Sequence, residues 1–328
     1  MWKFKPIFKH TVWGGTRIQP FKGLDVTAAD IGESWEMSGI EGSESVVDGG
    51  PDNGLSLSEL LRKYGAAILG ERNYKRYGER FPLLIKLIDA EANLSVQVHP
   101  DDDMALRMGL PNGKTEMWYV IDARKGGRLA MGFKKPLDPD DYHQLVTSGD
   151  IEHELKYIDV HNGEVYIIPA GRVHSIGAGC LVAEIQQTSD ATYRMYDYGR
   201  RDARGNAREL HTEMAREAAD FNDTDAQSEP YVPMRNIPVS LARCPYFTVN
   251  MLDLDSSVMR DYAELDSFIV FMVLKGNGRL LCGPDAVANE PSMMTVRQGD
   301  TVLVSASAKG LTFEPEESGL TLLEIYKA

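Results

Sequence analysis

Four side chains in three separated stretches carry metal-binding chemistry. Gln97 and His99 lie in Leu94-Ser95-Val96-Gln97-Val98-His99-Pro100. Glu116 follows His99 by seventeen residues, in Lys114-Thr115-Glu116-Met117-Trp118-Tyr119, and His174 ends Ile168-Pro169-Ala170-Gly171-Arg172-Val173-His174. An amide oxygen, two imidazoles and a carboxylate suit zinc or another divalent transition metal with an open coordination position. Gln97 and His99 are two apart in a segment that alternates with apolar residues, so both leave the same face of a strand. Singly, each histidine reads as a buried, hydrogen-bonded residue, and Glu116 as half of a surface pair with Lys114. Together the four read as one site, in which Gln97 is either a ligand or an amide that orients the ligands from behind.

Other residues stand out by their surroundings. Lys86 follows the apolar run Phe81-Pro82-Leu83-Leu84-Ile85, and Glu184 sits within Leu181-Val182-Ala183-Glu184-Ile185. A charge in an apolar strand is costly unless it is partnered. Lys86 is therefore a binding candidate or an edge lysine that snorkels to water. A carboxyl placed like Glu184 has a perturbed environment, as a proton-handling group needs. Arg194 and Arg200 flank the tyrosines Tyr193, Tyr196 and Tyr198. Arginine suits bidentate phosphate recognition and lysine acts as a point charge, so Lys86, Ser95, Arg194 and Arg200 are candidates for holding a phosphate. His10, His143, His153, His161 and His211 have no such context. Asp101-Asp102-Asp103 reads as a helix cap before Met104.

Strands must present most of these groups. Strand-like runs fall at 81–88, 94–99, 116–121, 165–168 and 181–186, then at 246–252, 267–274, 278–281, 301–304 and 320–326. Helical periodicity is confined to inserts. One spans about 55–78, with Ser56 or Ser58 as its cap. A second spans about 138–156, with Pro139 in its first turn, and a weaker one 206–220. The polar, acidic stretch 222–230 ends in proline and is the best linker candidate. Gly163 to His174 has an echo beginning at Gly299: glycine, acidic residue, four strand residues, turn. In the second copy Gly310 falls where His174 would be, and no histidine follows His211, so that copy carries no metal. The pattern predicts a mainly β chain with tandem jelly-roll sandwiches.

Bulk properties bound the function. The 328 residues carry a formal net charge of −14 and are 43% hydrophobic. That argues for a real core and against nucleic acid or an anionic membrane as the main partner. Three widely spaced cysteines give neither a disulfide framework nor a thiolate metal site. No apolar leader or membrane-length run is present. The expectation is a soluble cytoplasmic protein.

The run from Gly163 to His174 is similar to the second cupin motif. The set Gln97, His99, Glu116 and His174, with its flanking strings and the stretch from Glu184 to Arg194, resembles the zinc site of type I mannose-6-phosphate isomerases in their compact form. One departure from the general cupin pattern agrees with that branch: Gln97 stands for the first histidine, and Glu116 lies well downstream. The resemblance implies a tandem cupin fold. Residues 1–230 would form the catalytic domain, with the helical insertions, and residues 231–328 a metal-free cupin-like domain. It implies one Zn2+ per chain, a sugar-phosphate substrate, and interconversion of mannose 6-phosphate and fructose 6-phosphate through an enediol or enediolate. It also gives Glu184, Lys114 and Arg194 catalytic parts. Glu184, Lys114 or a hydroxide on the metal are the candidates for moving the proton. Two alternatives stand beside this: a cupin metal enzyme acting on another sugar, and a non-catalytic bicupin that binds sugar phosphates.

Overall fold

The structure, a computed structural model, describes residues 1–201, 205–288 and 290–327. Three antiparallel sheets dominate it. A six-stranded sheet runs in the order Ile7–Gly15, Ile31–Met37, Leu83–Asp89, Cys180–Gln187, Glu116–Ala123, Val165–Ile168. A five-stranded sheet runs Tyr193–Tyr196, Val96–Val98, His174–Ile176, Arg128–Phe133, Leu155–Asp159. They face each other across Trp13, Ile88, Trp118, Val120, Tyr166, Ile168 and Val182 from one side and Leu129, Met131 and Ile176 from the other. This is the sandwich that the alternating patterns require.

The outer faces are covered differently. Helices Asp102–Arg107, Tyr142–Ser148, Ile151–Glu154 and Thr212–Ala218 cover the five-stranded sheet through Met104, Tyr142, Val146, Ile151 and Ala215. The six-stranded sheet instead packs Met37, Leu83, Ile85, Met117 and Ile185 against Leu57, Leu60, Leu61 and Ile68 and against Val270, Met272, Leu323 and Ile325 of the third sheet. That third, eight-stranded sheet is built around the long strands Ile269–Cys282 and Gly310–Tyr326. Alternation along the first sends Val270 and Met272 to the shared core, and Ile269, Phe271 and Val273 to a core of its own. The N-terminal strand Trp2–Lys3 joins this sheet, pairing with Thr301–Val304.

Several sequence boundaries shift. The expected helix at 55–78 is three short helices, Leu57–Tyr64, Ala66–Leu69 and Glu71–Tyr77, broken at Gly65 and Gly70, both with positive φ. Ser56 is the cap, in a reciprocal arrangement with Glu59. The second insert starts later than its proline, at Tyr142, and from Leu155 the chain is already a strand of the five-stranded sheet. The runs at 267–274 and 278–281 are one strand. The echo is real in backbone terms: Gly163 and Gly299 both have positive φ, near 88° and 83°, just before strands Val165–Ile168 and Thr301–Val304. Between Ala218 and Val239 there is no helix or ladder strand. That connector is nonetheless anchored, by Ala226 in the sandwich core and by Asp223 on Arg172 at 2.6 Å. Asp101 caps its helix as expected, accepting from the Met104 N–H at 2.7 Å.

Candidate active site

Sheet register gathers the site. On the six-stranded sheet Trp35 pairs with Lys86, Lys86 with Glu184, and Glu184 with Trp118. On the five-stranded sheet Arg194 pairs with Gln97, and Gln97 with His174. Residues paired directly across strands point to the same face, so the two rows meet in the sandwich.

Glu116 is fully buried, and its two oxygens lie 3.4 Å from His99 Nε2 and 3.4 Å from His174 Nε2. One ligand atom from each of the three residues falls within 4.8 Å of the others. Glu116 Oε1 has no hydrogen-bond donor, and Oε2 has only the Lys114 ammonium at 3.1 Å, so the buried carboxylate keeps lone pairs open to a further cation. Both histidines have one ring nitrogen committed. His99 Nδ1 lies 2.9 Å from the Ala191 carbonyl, and His174 Nδ1 lies 2.8 Å from the Arg172 carbonyl. A carbonyl only accepts, so each Nδ1 carries the proton and each Nε2 turns a lone pair toward Glu116. Burial, with Lys114 adding to it, pushes the His99 imidazole down to about 3. Burial also lowers His174. Both rings are neutral at neutral pH, as ligation requires. For Glu116 burial acts upward, but Lys114 and the histidines hold it well below the usual carboxylate range. Gln97 Nε2 is 3.3 Å from His174 Nε2; turning the amide about its last bond presents Oε1 instead. The donor set therefore fits a divalent cation.

Lys114, expected to be a surface residue if it merely paired with Glu116, is buried. Its Nζ lies 3.0 Å from His99 Nε2 and 3.1 Å from Glu116 Oε2. Beside this centre runs a charged row. Lys86 Nζ is 3.1 Å from Glu184 and 3.4 Å from Glu33, and both it and Glu184 are buried. Trp118 Nε1 donates to Glu184 at 2.9 Å, and Trp35 Nε1 to Glu33 at 2.6 Å. Burial and then the charge of Glu116 raise the Glu184 carboxyl, which Lys86 and Lys114 offset only in part. For Lys86 burial acts downward, yet Glu33 and Glu184 carry it above its ordinary value.

Ser95, Arg194 and Arg200 form a second group, linked to the first through Gln97. Ser95 Oγ is 3.5 Å from Gln97 Oε1, and Arg194 Nε donates to Ser95 Oγ at 3.3 Å. Arg200 donates to Asp197 and to the Asn93 carbonyl. Lys86 is in the other group, against Glu33 and Glu184. Participants that escaped the sequence reading include Glu33, the Trp35 and Trp118 donors, Asp197 and Arg208. His211, given no role from sequence, accepts from the Arg194 backbone N–H at 3.2 Å. A signal for Arg208 was present. Residues 194–208 hold five arginines in a chain of net charge −14. A separate cavity of about 1120 Å³ lies between helices Leu57–Tyr64 and Asp102–Arg107; Ser189, Asp190 and Ala191 line it, but none of the four candidate ligands does.

Residues 1–131 match the family model described as phosphomannose isomerase type I, catalytic domain. Mannose-6-phosphate isomerase ManA of Bacillus subtilis is 34% identical over 85% of this chain and 87% of its own length. The crystal structure of the mannose 6-phosphate isomerase from Bacillus subtilis superposes with a TM-score of 0.86 and 30% identity, covering 99% of this chain and 98% of that one. A mannose 6-phosphate isomerase bound with zinc and yttrium shares the fold at a TM-score of 0.76 and 15% identity, covering 100% of this chain and 99% of that one. With that extent of identity, and with the ligand set converging inside the same sandwich, the chain belongs to the type I phosphomannose isomerase family.

Proposed function

We propose that this protein interconverts mannose 6-phosphate and fructose 6-phosphate with one zinc ion per chain. The observation that carries the reading is the fully buried Glu116 carboxylate with His99 Nε2 and His174 Nε2 each 3.4 Å from one of its oxygens, three ligand atoms converging beside the Lys114 ammonium. Gln97, His99, Glu116 and His174 would hold the zinc. Bound there, it supplies Lewis-acid polarisation of sugar oxygens.

The remaining work falls to protein groups. Isomerisation moves a proton between carbon-1 and carbon-2. Glu184 is our candidate for carrying it: a carboxyl raised by burial keeps and releases a proton nearer neutral pH than a solvated one. Trp118 and Lys86 fix its two oxygens. Lys114 presents an ammonium beside the ligands and is placed to donate to a sugar oxygen as charge develops on it. Arg194, Ser95 and Arg200 take the phosphate, with Arg194 thereby orienting the reacting end; Lys86 adds positive charge from the neighbouring row. A buried proton-handling acid beside the centre favours a catalyst over a bicupin that only binds.

In this reading residues 1–230 are the catalytic unit, and 231–328 support the back of its six-stranded sheet. Among the described residues no helix is long and apolar enough to cross a membrane. The three cysteines are free, which supports the cytoplasmic placement.

A coupled assay with mannose 6-phosphate on zinc-reconstituted protein, beside a chelated control, tests the proposal. Turnover that disappears on chelation and returns with zinc is expected. Full zinc occupancy with no turnover would overturn it.

A further inference from the structure

Arg194, Arg200 and Arg208 are brought together by a chain reversal. Residues 209–211 fold back along strand Tyr193–Tyr196. Arg194 Nη1 donates to the Glu209 carbonyl at 2.7 Å, and the His211 N–H to the Arg194 carbonyl at 2.8 Å. This sets Arg208 beside the pair predicted from sequence. Arg208 Nε donates to Asp197 Oδ2 at 2.7 Å, its Nη2 reaches Oδ1, and Arg200 reaches the same Oδ1. Asp197 is 5% exposed, and among the described residues Arg200 and Arg208 share it as their ion-pair partner. Arg194 itself has no ion pair there.

Such a cluster is electrostatically unfinished. Burial lowers the half-buried Arg194 guanidinium, and the charges of Arg208 and Arg200 lower it further, against Asp197. Like charges held together at partial burial raise the energy of the free protein unless an anion joins them. Among the described residues, Asp197 with the more distant charge of Glu209 does not balance three cations. Asp197 restrains two of them in fixed forks, which lowers the cost of ordering long side chains when a ligand arrives. Net positive charge and pre-set planar donors match a phosphoryl dianion.

We infer that Arg208 is a third phosphate-binding arginine for the sugar-phosphate substrate, and that Asp197 is the positioning residue that holds Arg200 and Arg208 for it. This rests on the isomerase reading for the identity of the substrate, though not for the presence of the anion site.

Arg208→Ala, Arg208→Lys and Asp197→Asn test the inference by KM and kcat for mannose 6-phosphate, zinc content, and calorimetric titration with inorganic phosphate. Losing one charge-assisted contact corresponds to roughly 10- to 100-fold. Arg208→Ala should raise KM by about that factor, with full zinc and kcat changed far less, and should weaken phosphate binding in parallel. Lysine should restore part of the loss. Asp197→Asn should raise KM less than Arg208→Ala does. KM and phosphate affinity within twofold of wild type in Arg208→Ala would overturn the inference, as would a fall in zinc content or kcat at unchanged KM. A wild-type protein that binds phosphate but does not isomerise mannose 6-phosphate would sink the isomerase reading alone; the titrations would still decide the role of Arg208.

Discussion

At the scale of single residues, two buried carboxylates on adjacent strands are assigned different work by their neighbours. Each lies against a lysine, Lys114 and Lys86, but Glu116 faces two imidazole nitrogens while Glu184 accepts from Trp118. Their isosteric amides should therefore separate metal binding from chemistry. Glu116→Gln removes the only charged ligand from the set, so zinc content should fall well below one per chain, and activity with it. Glu184→Gln should keep its zinc while kcat drops by about 10²- to 10⁴-fold, the range for removing a general acid or base. Metal analysis beside steady-state kinetics reads both. A zinc-replete Glu116→Gln enzyme, or a Glu184→Gln enzyme with near-normal kcat, would reverse the assignments. The four candidate ligands were legible because each sits in a short string of distinctive type and spacing. Asp197 and Arg208 were not, because what joins them is a reversal of the chain, and nothing in local periodicity reports where residues 209–211 will lie.

At the scale of elements, strand cores were legible and helix breaks were not. The short, largely apolar runs at 165–168 and 301–304 coincide with the observed strands, which are buried on both faces and so need no alternation. In 55–78 the three-and-four spacing of Leu57, Leu60, Leu61, Tyr64 and Ile68 runs past Gly65, so periodicity alone cannot see that break. At Gly70 φ is 86°, and an added Cβ would lie 2.4 Å from the Asp266 carbonyl oxygen. Gly70→Ala should cost at least about 1–3 kcal/mol from backbone strain, with the clash adding to it. Thermal denaturation should show a clearly lowered Tm. Ser56→Ala, which removes only the cap of the first helix, should cost about 1 kcal/mol and leave kinetic constants unchanged. A Gly70→Ala protein as stable as wild type would mean that this junction bends freely, contrary to its place between the helices and the third sheet.

At the scale of the whole molecule, the six-stranded sheet is the middle layer. One face supplies Glu116, Glu184 and Lys86 to the site; the other shares a core with the helices and with Val270, Met272, Leu323 and Ile325. The candidate ligands divide between layers: Gln97 and His174 belong to the five-stranded sheet, while Glu116 opens a strand of the six-stranded one. A bound ion then joins the two halves of the sandwich, and unfolding must release it. Stabilisation by a ligand that binds only the folded state is about 2.7 kcal/mol at a hundredfold excess over Kd. For a chain of this size that is a rise in Tm on the order of 5 °C. Chelation should lower the Tm of the wild-type protein by that order and leave His174→Ala, which has lost the joint, unmoved by either zinc or chelator. Calorimetry on both proteins, with metal content measured in the same samples, decides it. If zinc leaves the wild type with no change in Tm, the ion is held by one layer only, and the division of ligands between the sheets does not bear on the stability of the sandwich.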